Sequence, residues 1–147
     1  MGILSTIRAS ASALTAQRLR MDVISNNVAN INTTRTETGT TYHRLQAVFM
    51  PDRPNRTFLT ALRASFGIQE PPRGVLVQKI QEDSTPTRRV LDPTHPDADA
   101  NGFVEYPNVD LVQEMTDMLG ATRAYEANVT VMNAAKTMAL KALNIGA

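Results

Sequence analysis

The chain has 147 residues, 42% of them hydrophobic and 20% charged, which suits one modest domain and argues against intrinsic disorder. Fifteen basic and fourteen acidic side chains give a net charge of +1, so charge provides no reason to expect DNA, RNA or an anionic membrane as the partner. The absence of cysteine excludes disulfides and thiolate metal sites.

The first predicted element is a helix over residues 5–30. All eight prolines lie between Pro51 and Pro107, so both ends of the chain are free to be helical. Apolar residues at heptad spacing, interrupted by Arg18 and Ser25, form a narrow stripe that needs a helical partner. The predicted seam of this helix consists of Leu4, Ile7, Ala11, Leu14, Met21 and Val28.

The middle of the chain carries the turn and strand signals. Residues 40–49 and 74–80 are predicted strands, and Val90-Leu91 and residues 103–106 flank a turn-rich stretch. Asn101-Gly102 in that stretch is a good turn signal. Residues 51–73 are polar and contain proline, which predicts a long loop or a partly ordered insertion.

The second predicted helix begins after Asn108, a suitable N-cap, and ends near Gly146. Acidic residues near its start and lysines near its end complement the helix dipole. Its predicted seam consists of Leu111, Met115, Met118, Tyr125, Val129, Met132, Ala139 and Leu143, with polar Thr122 and Lys136 at two further seam positions.

These elements predict a mainly α fold with a small β-rich insertion, in which long N- and C-terminal helices form a coiled-coil-like pair. The predicted regions are an N-terminal helix (1–32), a β-rich or irregular middle (33–107) and a C-terminal helix (108–147). With only 5% aromatic residues and no Trp, the chain suits a thin seam between helices better than a thick core. The pattern leaves open whether the helices run parallel or antiparallel, and whether they pair within one chain.

A cluster of carboxylates and one histidine invites a metal-site interpretation. Asp92, His95, Asp97 and Asp99 fall within eight residues, but Asn108 stands where an EF-hand loop requires an acid. The favoured interpretation is a loop whose aspartates cap their own turns. A small metal-dependent enzyme and a generic coiled-coil adaptor remain as alternatives, while the prediction itself contains no catalytic residue, metal or cofactor.

Three stretches resemble the flagellar axial proteins, the family of rod, hook and hook-associated subunits. The first is ISNNVANINT at residues 24–33, and the second is RAYEANVTVMNAAKTMALKAL at residues 123–143, which is similar to the C-terminal helix of the family. Because Asn and Ser favour caps and bends, the first stretch is predicted to end the helix in a hydrogen-bonded turn. The signature turn comprises Ser25, Asn26, Asn27, Ala29, Asn30, Asn32 and Thr33.

The third stretch, VLDPTHPDADANGFVEYPNV at residues 90–109, is similar to a block that distinguishes a proximal-rod protein within this family. The resemblance covers about residues 1–50 and 88–147, and it departs at residues 39–44, where a proline is expected before Tyr42. The residues of this rod-specific loop are Asp92, Pro93, His95, Pro96, Asp97, Asp99, Asn101, Gly102 and Tyr106.

The resemblance implies a structural subunit of the bacterial flagellar basal-body rod that assembles through its terminal helices and transmits torque. It implies self-association, the neighbouring rod proteins FlgB, FlgF, FlgG and FliE as partners, and the flagellar type III export apparatus, with no nucleic acid and no membrane insertion. The implied location is the rod in the periplasm. The N-terminus has no secretory hydrophobic segment, which agrees with export without a cleaved signal. Another axial subunit, from the rod or hook, is the alternative within the family.

Overall fold

The computed structural model describes residues 3–53, 58, 62, 65, 66 and 73–145. Along the chain, one long helix precedes four strands and a second long helix follows them, which confirms the predicted fold class. In chain order the elements are α1 (Ile3–Ala29), β1 (Leu45–Pro51), β2 (Val75–Glu82), β3 (Arg88–Leu91), β4 (Phe103–Tyr106) and α2 (Leu111–Ile145). No helix in these described ranges combines the length and apolarity needed to cross a membrane.

The backbone divides into two compact units, and each helix contributes residues to both. Unit 1 consists of Met1–Arg18, Phe49–Gln78 and Arg123–Ala147. Unit 2 consists of Leu19–Val48 and Lys79–Thr122.

Within unit 2, the end of α1 and the start of α2 lie side by side and run antiparallel. Arg20 pairs with Asp117, and the hydroxyl of Thr122 reaches the sulfur of Met21 at 3.7 Å. Asn27, further along α1, contacts Glu114, which lies earlier in α2. The two helices therefore pair within one chain here, in the orientation that the sequence left open.

Helix α1 ends in the predicted hydrogen-bonded turn. The side-chain Nδ2 of Asn30 donates to the backbone oxygen of Asn26 at 2.9 Å, and the hydroxyl of Thr33 donates to Asn30 Oδ1 at 3.1 Å. The Thr33 amide closes the turn by donating to the Asn30 carbonyl. Asn27 departs from the prediction, because its side chain is buried and bonds to other elements instead of capping this helix.

Helix α2 is capped by Asp110, and the prediction of Asn108 as its N-cap is wrong. Asp110 Oδ1 accepts from the backbone N–H groups of Val112 and Gln113 at 2.8 and 3.3 Å. Asn108 lies too early and bonds to Arg44 and Thr85 instead. The predicted ending at Gly146 lies outside the described residues.

The strands form two separate two-stranded sheets, β1 with β2 and β3 with β4. The predicted strands at 40–49 and 74–80 correspond to β1 and β2, although β1 begins only at Leu45. Residues 90–91 and 103–106, which are predicted only to flank a turn-rich stretch, belong to β3 and β4, and these strands pair antiparallel with Val90 opposite Val104. The predicted turn at Asn101-Gly102 is also confirmed, since Gly102 has a φ of 77° that favours glycine. Val104 is 1% exposed and anchors this hairpin in unit 2.

In unit 1, α1 meets the start of β2 through a close backbone approach. The hydroxyl of Ser12 donates to the Ala9 carbonyl at 2.8 Å and accepts from the Val75 N–H at 3.1 Å. A Cβ added to Gly74 would lie 2.2 Å from Ser12 Oγ, so glycine is required for this contact. Much of the predicted 51–73 loop lies outside the described residues. Within it, Phe58, Leu62 and Ser65 are helical and not irregular.

None of the fourteen residues predicted for the helix seams, all of which the structure describes, is fully buried. Leu4 and Leu143 are 82% and 71% exposed. Apart from Ile24, the buried positions of the helices are small or polar: Ser10, Ala16, Val23 and Asn27 in α1, and Glu114, Ala121 and Ala135 in α2. Periodicity selected the large apolar residues, whereas close packing of helices favours small side chains at the contact.

Candidate functional site

A buried carboxamide lies at the centre of unit 2. Asn27 is 1% exposed, and its Nδ2 donates to the Leu45 carbonyl at 2.9 Å and to Glu114 Oε2 at 3.0 Å. Its Oδ1 accepts from the Leu45 N–H and the Tyr42 hydroxyl, each at 2.9 Å. Both donors and both acceptor positions of the amide are thus used, which is the requirement for burying it. This one side chain joins α1 to the start of β1 and to α2.

The carboxylate beside it is completely buried. Glu114 is 0% exposed, and its Oε1 accepts from Arg44 Nε at 2.5 Å while Oε2 accepts from Asn27. A buried charge is tolerated only when it is paired and hydrogen-bonded, and Glu114 meets both conditions. We call Asn27, Arg44 and Glu114, with Tyr42 and Asp117, the polar junction.

Arg44 connects three carboxylates. Besides Glu114, its guanidinium lies 3.2 Å from Asp117 Oδ2 and 3.6 Å from Asp83 Oδ2. Burial tends to lower the pKa of Arg44, but the hydrogen bond and charge of Glu114, helped by the two aspartates, outweigh burial and raise that pKa. Arg44 therefore stays charged, and its planar fork fixes the orientation of β1 against α2.

Tyr42 completes the polar junction from the segment before β1. Burial, followed by the negative charges of Glu114 and Glu82, raises the pKa of the Tyr42 hydroxyl above its ordinary value. The hydroxyl consequently remains protonated and keeps donating to Asn27 Oδ1. The adjacent backbone is held as well, because the Arg44 N–H donates to Asn108 Oδ1 at 2.8 Å.

An apolar groove of about 700 Å³ lies beside the polar junction, between the same parts of α1 and α2. Its walls include Ile24 and Val28 from α1 and Val112, Met115 and Leu119 from α2. Val112, Met115 and Leu119 are 73%, 63% and 53% exposed. Val28, Met115 and Met118, which the sequence places in the seams, all line the groove. Polar side chains here fix the helices, while a neighbouring apolar surface stays open.

Two of the three aspartates of the rod-specific loop, Asp92 and Asp99, cap their own turns as the favoured interpretation predicts, whereas Asp97 accepts from the distant Thr34 hydroxyl at 2.8 Å. Asp92 accepts from the hydroxyl and N–H of Thr94, and these bonds lower its pKa. Asp99 accepts from the N–H groups of Phe103 and Asn101, which lower the pKa of Asp99 in the same way. Across the described part of the chain, no three His, Cys, Asp or Glu residues are grouped to hold a metal ion.

Sequence reasoning found the signature asparagines but missed the charged half of the polar junction. Arg44 and Glu114 are 70 residues apart, and no local pattern links them. One available signal was the position of Glu114, which precedes buried Ala121 by two helical turns on the same face of α2. An acid on the buried face of a helix indicates a charge that is paired with a basic residue elsewhere in the fold.

Two family models of known proteins match the two helical ends of the chain. Residues 7–35 match a family model described as "Flagella basal body rod protein", and residues 100–145 match one described as "Flagellar basal body rod FlgEFG protein C-terminal". The first match covers Asn27, and the second covers Glu114 and all of α2.

Several full-length relatives carry the name "Flagellar basal-body rod protein FlgC". That of Borreliella burgdorferi is 45% identical, covering 99% of this chain and 98% of its own length. That of Bacillus subtilis is 45% identical over 96% of each chain, and that of Salmonella typhimurium is 37% identical over 99% of each. These names describe structural rod proteins and favour the rod over a hook subunit or an enzyme.

Proposed function

Because this chain belongs to the FlgC family of flagellar basal-body rod proteins, and so is a structural subunit of the basal body and not an enzyme, we propose that it binds neighbouring subunits through the outer faces of its terminal helices. In this proposal the polar junction holds the two helices together within the subunit. The apolar groove beside it receives a helix of a neighbour.

The observation that carries the proposal is the exposure of large apolar side chains next to a fully satisfied polar junction. Val112 and Met115 expose most of their surface although they border buried Glu114. Exposed contiguous apolar surface on a soluble chain is typical of an interaction site. Methionine, which is flexible and polarisable, suits a surface that must adapt to a partner.

Helix α2 offers two different faces in unit 2. Glu114 and Ala121 lie on its inner face and are buried, whereas Met115 and Leu119 lie on an outer face and are exposed. In unit 1 the same helix buries Ala135 and exposes Leu140 and Leu143. The predicted seam residues Leu4, Leu111, Met115 and Leu143 are therefore available to a neighbour.

The proposed neighbours are further copies of this chain and the rod proteins FlgB, FlgF, FlgG and FliE, in the periplasmic part of the rod. We propose export through the flagellar type III apparatus without a cleaved signal. A head-to-tail contact that does not close on itself generates a helical tube, and many such contacts loaded in parallel would transmit torque. The middle region would then add lateral contacts.

The proposal is tested with single cysteines, because the chain has none of its own. Met115→Cys reports on the groove, and Gln113→Cys, also exposed but on another side of α2, is the matched control. We expect a maleimide to label both thiols rapidly in the purified monomer. In isolated basal bodies Met115→Cys should become slow to label while Gln113→Cys changes less. Equal, rapid labelling of Met115→Cys in both states would contradict the proposal.

A further inference from the structure

The net charge of +1 conceals a large separation of charge between the two units. Unit 1 contains nine basic and three acidic residues and has a net charge of +6. Unit 2 contains six basic and eleven acidic residues and has a net charge of −5. Charges of this size on bodies this small generate fields that reach about one Debye length, roughly 10 Å at 0.1 M salt.

Internal pairing does not cancel the charge of unit 2. In and beside the polar junction, Arg20 and Arg44 pair with Asp83, Glu114 and Asp117. The rest of unit 2 still carries four basic and eight acidic residues, a net charge of −4. Several of the remaining acids are exposed, among them Asp22, Glu37 and Glu82.

The basic residues of unit 1 are equally accessible on its helices. Arg8, Lys136 and Lys141 are exposed, and the helical parts of unit 1 contain one acid, Glu126. Exposed apolar side chains accompany them: Leu4 is 82% exposed, Met138 56% and Leu143 71%. Unit 1 thus carries exposed apolar and basic side chains on the same helices, and unit 2 offers an apolar groove on a body of net negative charge.

We propose that unit 1 of one copy docks on unit 2 of a second copy, head to tail, and that the opposite charges of the two units set this polarity. The inference rests on the proposed function, because it identifies the partner and direction of that same surface. Contacts between two copies of unit 1, or between two copies of unit 2, bring like charges together and are disfavoured. A head-to-tail contact leaves one unit free at each end, so the assembly grows without closing.

The test is sedimentation of the full-length chain and of two charge variants. Lys136→Glu/Lys141→Glu lowers unit 1 from +6 to +2, and Asp22→Lys/Glu37→Lys changes unit 2 from −5 to −1. We expect the unaltered chain to self-associate on the order of tenfold more weakly in high salt than in low salt. Each variant alone should show a similar loss in low salt. Circular dichroism verifies that both variants remain folded.

Mixing the two variants in equal amounts supplies the decisive control. In the mixture, the unaltered unit 1 of the Asp22→Lys/Glu37→Lys variant can meet the unaltered unit 2 of the Lys136→Glu/Lys141→Glu variant. The remaining two units are both altered, so a one-to-one dimer should form and grow no further. A chain that stays monomeric in every salt concentration, variants that associate as well as the unaltered chain, or a mixture with no dimer would each overturn the inference. The proposed function is tested separately: it would be contradicted if Met115→Cys were labelled as rapidly in basal bodies as in the monomer.

Discussion

The carboxamide of Asn27 donates to the carboxylate of Glu114 at 3.0 Å, and the two residues are 1% and 0% exposed. This contact joins α1 to α2, while the other three hydrogen bonds of Asn27 reach Tyr42 and Leu45. A signature residue that looks like part of a helix-ending turn is therefore the point at which three segments of the fold meet.

Replacing Asn27 by alanine should destabilise the protein strongly. Asn27→Ala leaves the Leu45 N–H and carbonyl, the Tyr42 hydroxyl and one oxygen of Glu114 without their present partner. Unsatisfied buried groups cost about 1–3 kcal/mol each, so a total loss of about 3 kcal/mol or more is expected in denaturant unfolding. Asn26→Ala is the matched control, because Asn26 is exposed and its Oδ1 accepts from Asn30 within the same turn; it should cost about 1 kcal/mol or less.

The pair formed by Arg44 and Glu114 should be strongly coupled. Glu114→Gln removes the buried one of the three carboxylate charges that Arg44 faces, and breaking one side of a buried ion pair costs about 3–5 kcal/mol. The double variant Arg44→Met/Glu114→Gln should lose less stability than the sum of Arg44→Met and Glu114→Gln, because neither member of the buried pair is then left charged without the other. Additive losses in a double-mutant cycle measured by urea unfolding would show that the pair contributes nothing specific.

The sequence predicted the arrangement of the elements because local signals dominate there. The exclusion of proline from both ends defines the helices, and the Asn101-Gly102 turn correctly joins β3 to β4. The helix cap was misplaced by two residues, since Asn108 and Asp110 are both good caps by type. Only the hydrogen bonds that Asn108 makes elsewhere in unit 2 decide between them.

The site was less predictable because its contacts are distant in sequence. Asn27 was identified through the signature, but its partner Glu114 lies 87 residues away. Heptad spacing ranks large apolar side chains first, so it selected Met115 and Leu143, which are exposed, instead of the small Ala121 and Ala135, which are buried. The division of charge between the two units is also invisible in a total of +1, because each unit is assembled from separate stretches.

The turn-capping aspartates should make stability depend on acid. Hydrogen bonds from Thr85, Thr94 and the backbone around Phe103 lower the pKa values of Asp83, Asp92 and Asp99 in the folded state. A lowered folded pKa gives stability that is present above the unfolded value of about 4 and is lost as the pH falls through the folded pKa. The free energy of unfolding should therefore decline as the pH drops below about 4.

A single hydroxyl tests the cause of one of these shifts. Thr94→Val removes the hydrogen bond of 2.7 Å that contributes most to the lowered pKa of Asp92. NMR titration should show the pKa of Asp92 rising toward its ordinary value, with the pKa of Asp99 unchanged as an internal control. An unchanged Asp92 titration would mean that the Thr94 hydroxyl does not stabilise the charged carboxylate.

The approach of Gly74 to α1 gives the sharpest steric prediction. Gly74→Ala places a methyl group 2.2 Å from Ser12 Oγ and 3.2 Å from Ser12 Cβ at a φ of 156°, so the Ser12 side chain or the adjacent backbone must shift. Overpacking of this kind costs about 1–3 kcal/mol. Gly120→Ala is the matched control, because no atom lies within 4 Å of the added methyl, and alanine in a helix should stabilise by about 0.5–1 kcal/mol. Ser12→Ala removes the closest atom, so Gly74→Ala should cost less stability in the Ser12→Ala background than in the unaltered chain; this comparison cancels the separate loss of the Ser12–Val75 hydrogen bond. If Gly74→Ala cost the same in both backgrounds, the cost would come from the backbone conformation and not from the contact with the Ser12 hydroxyl.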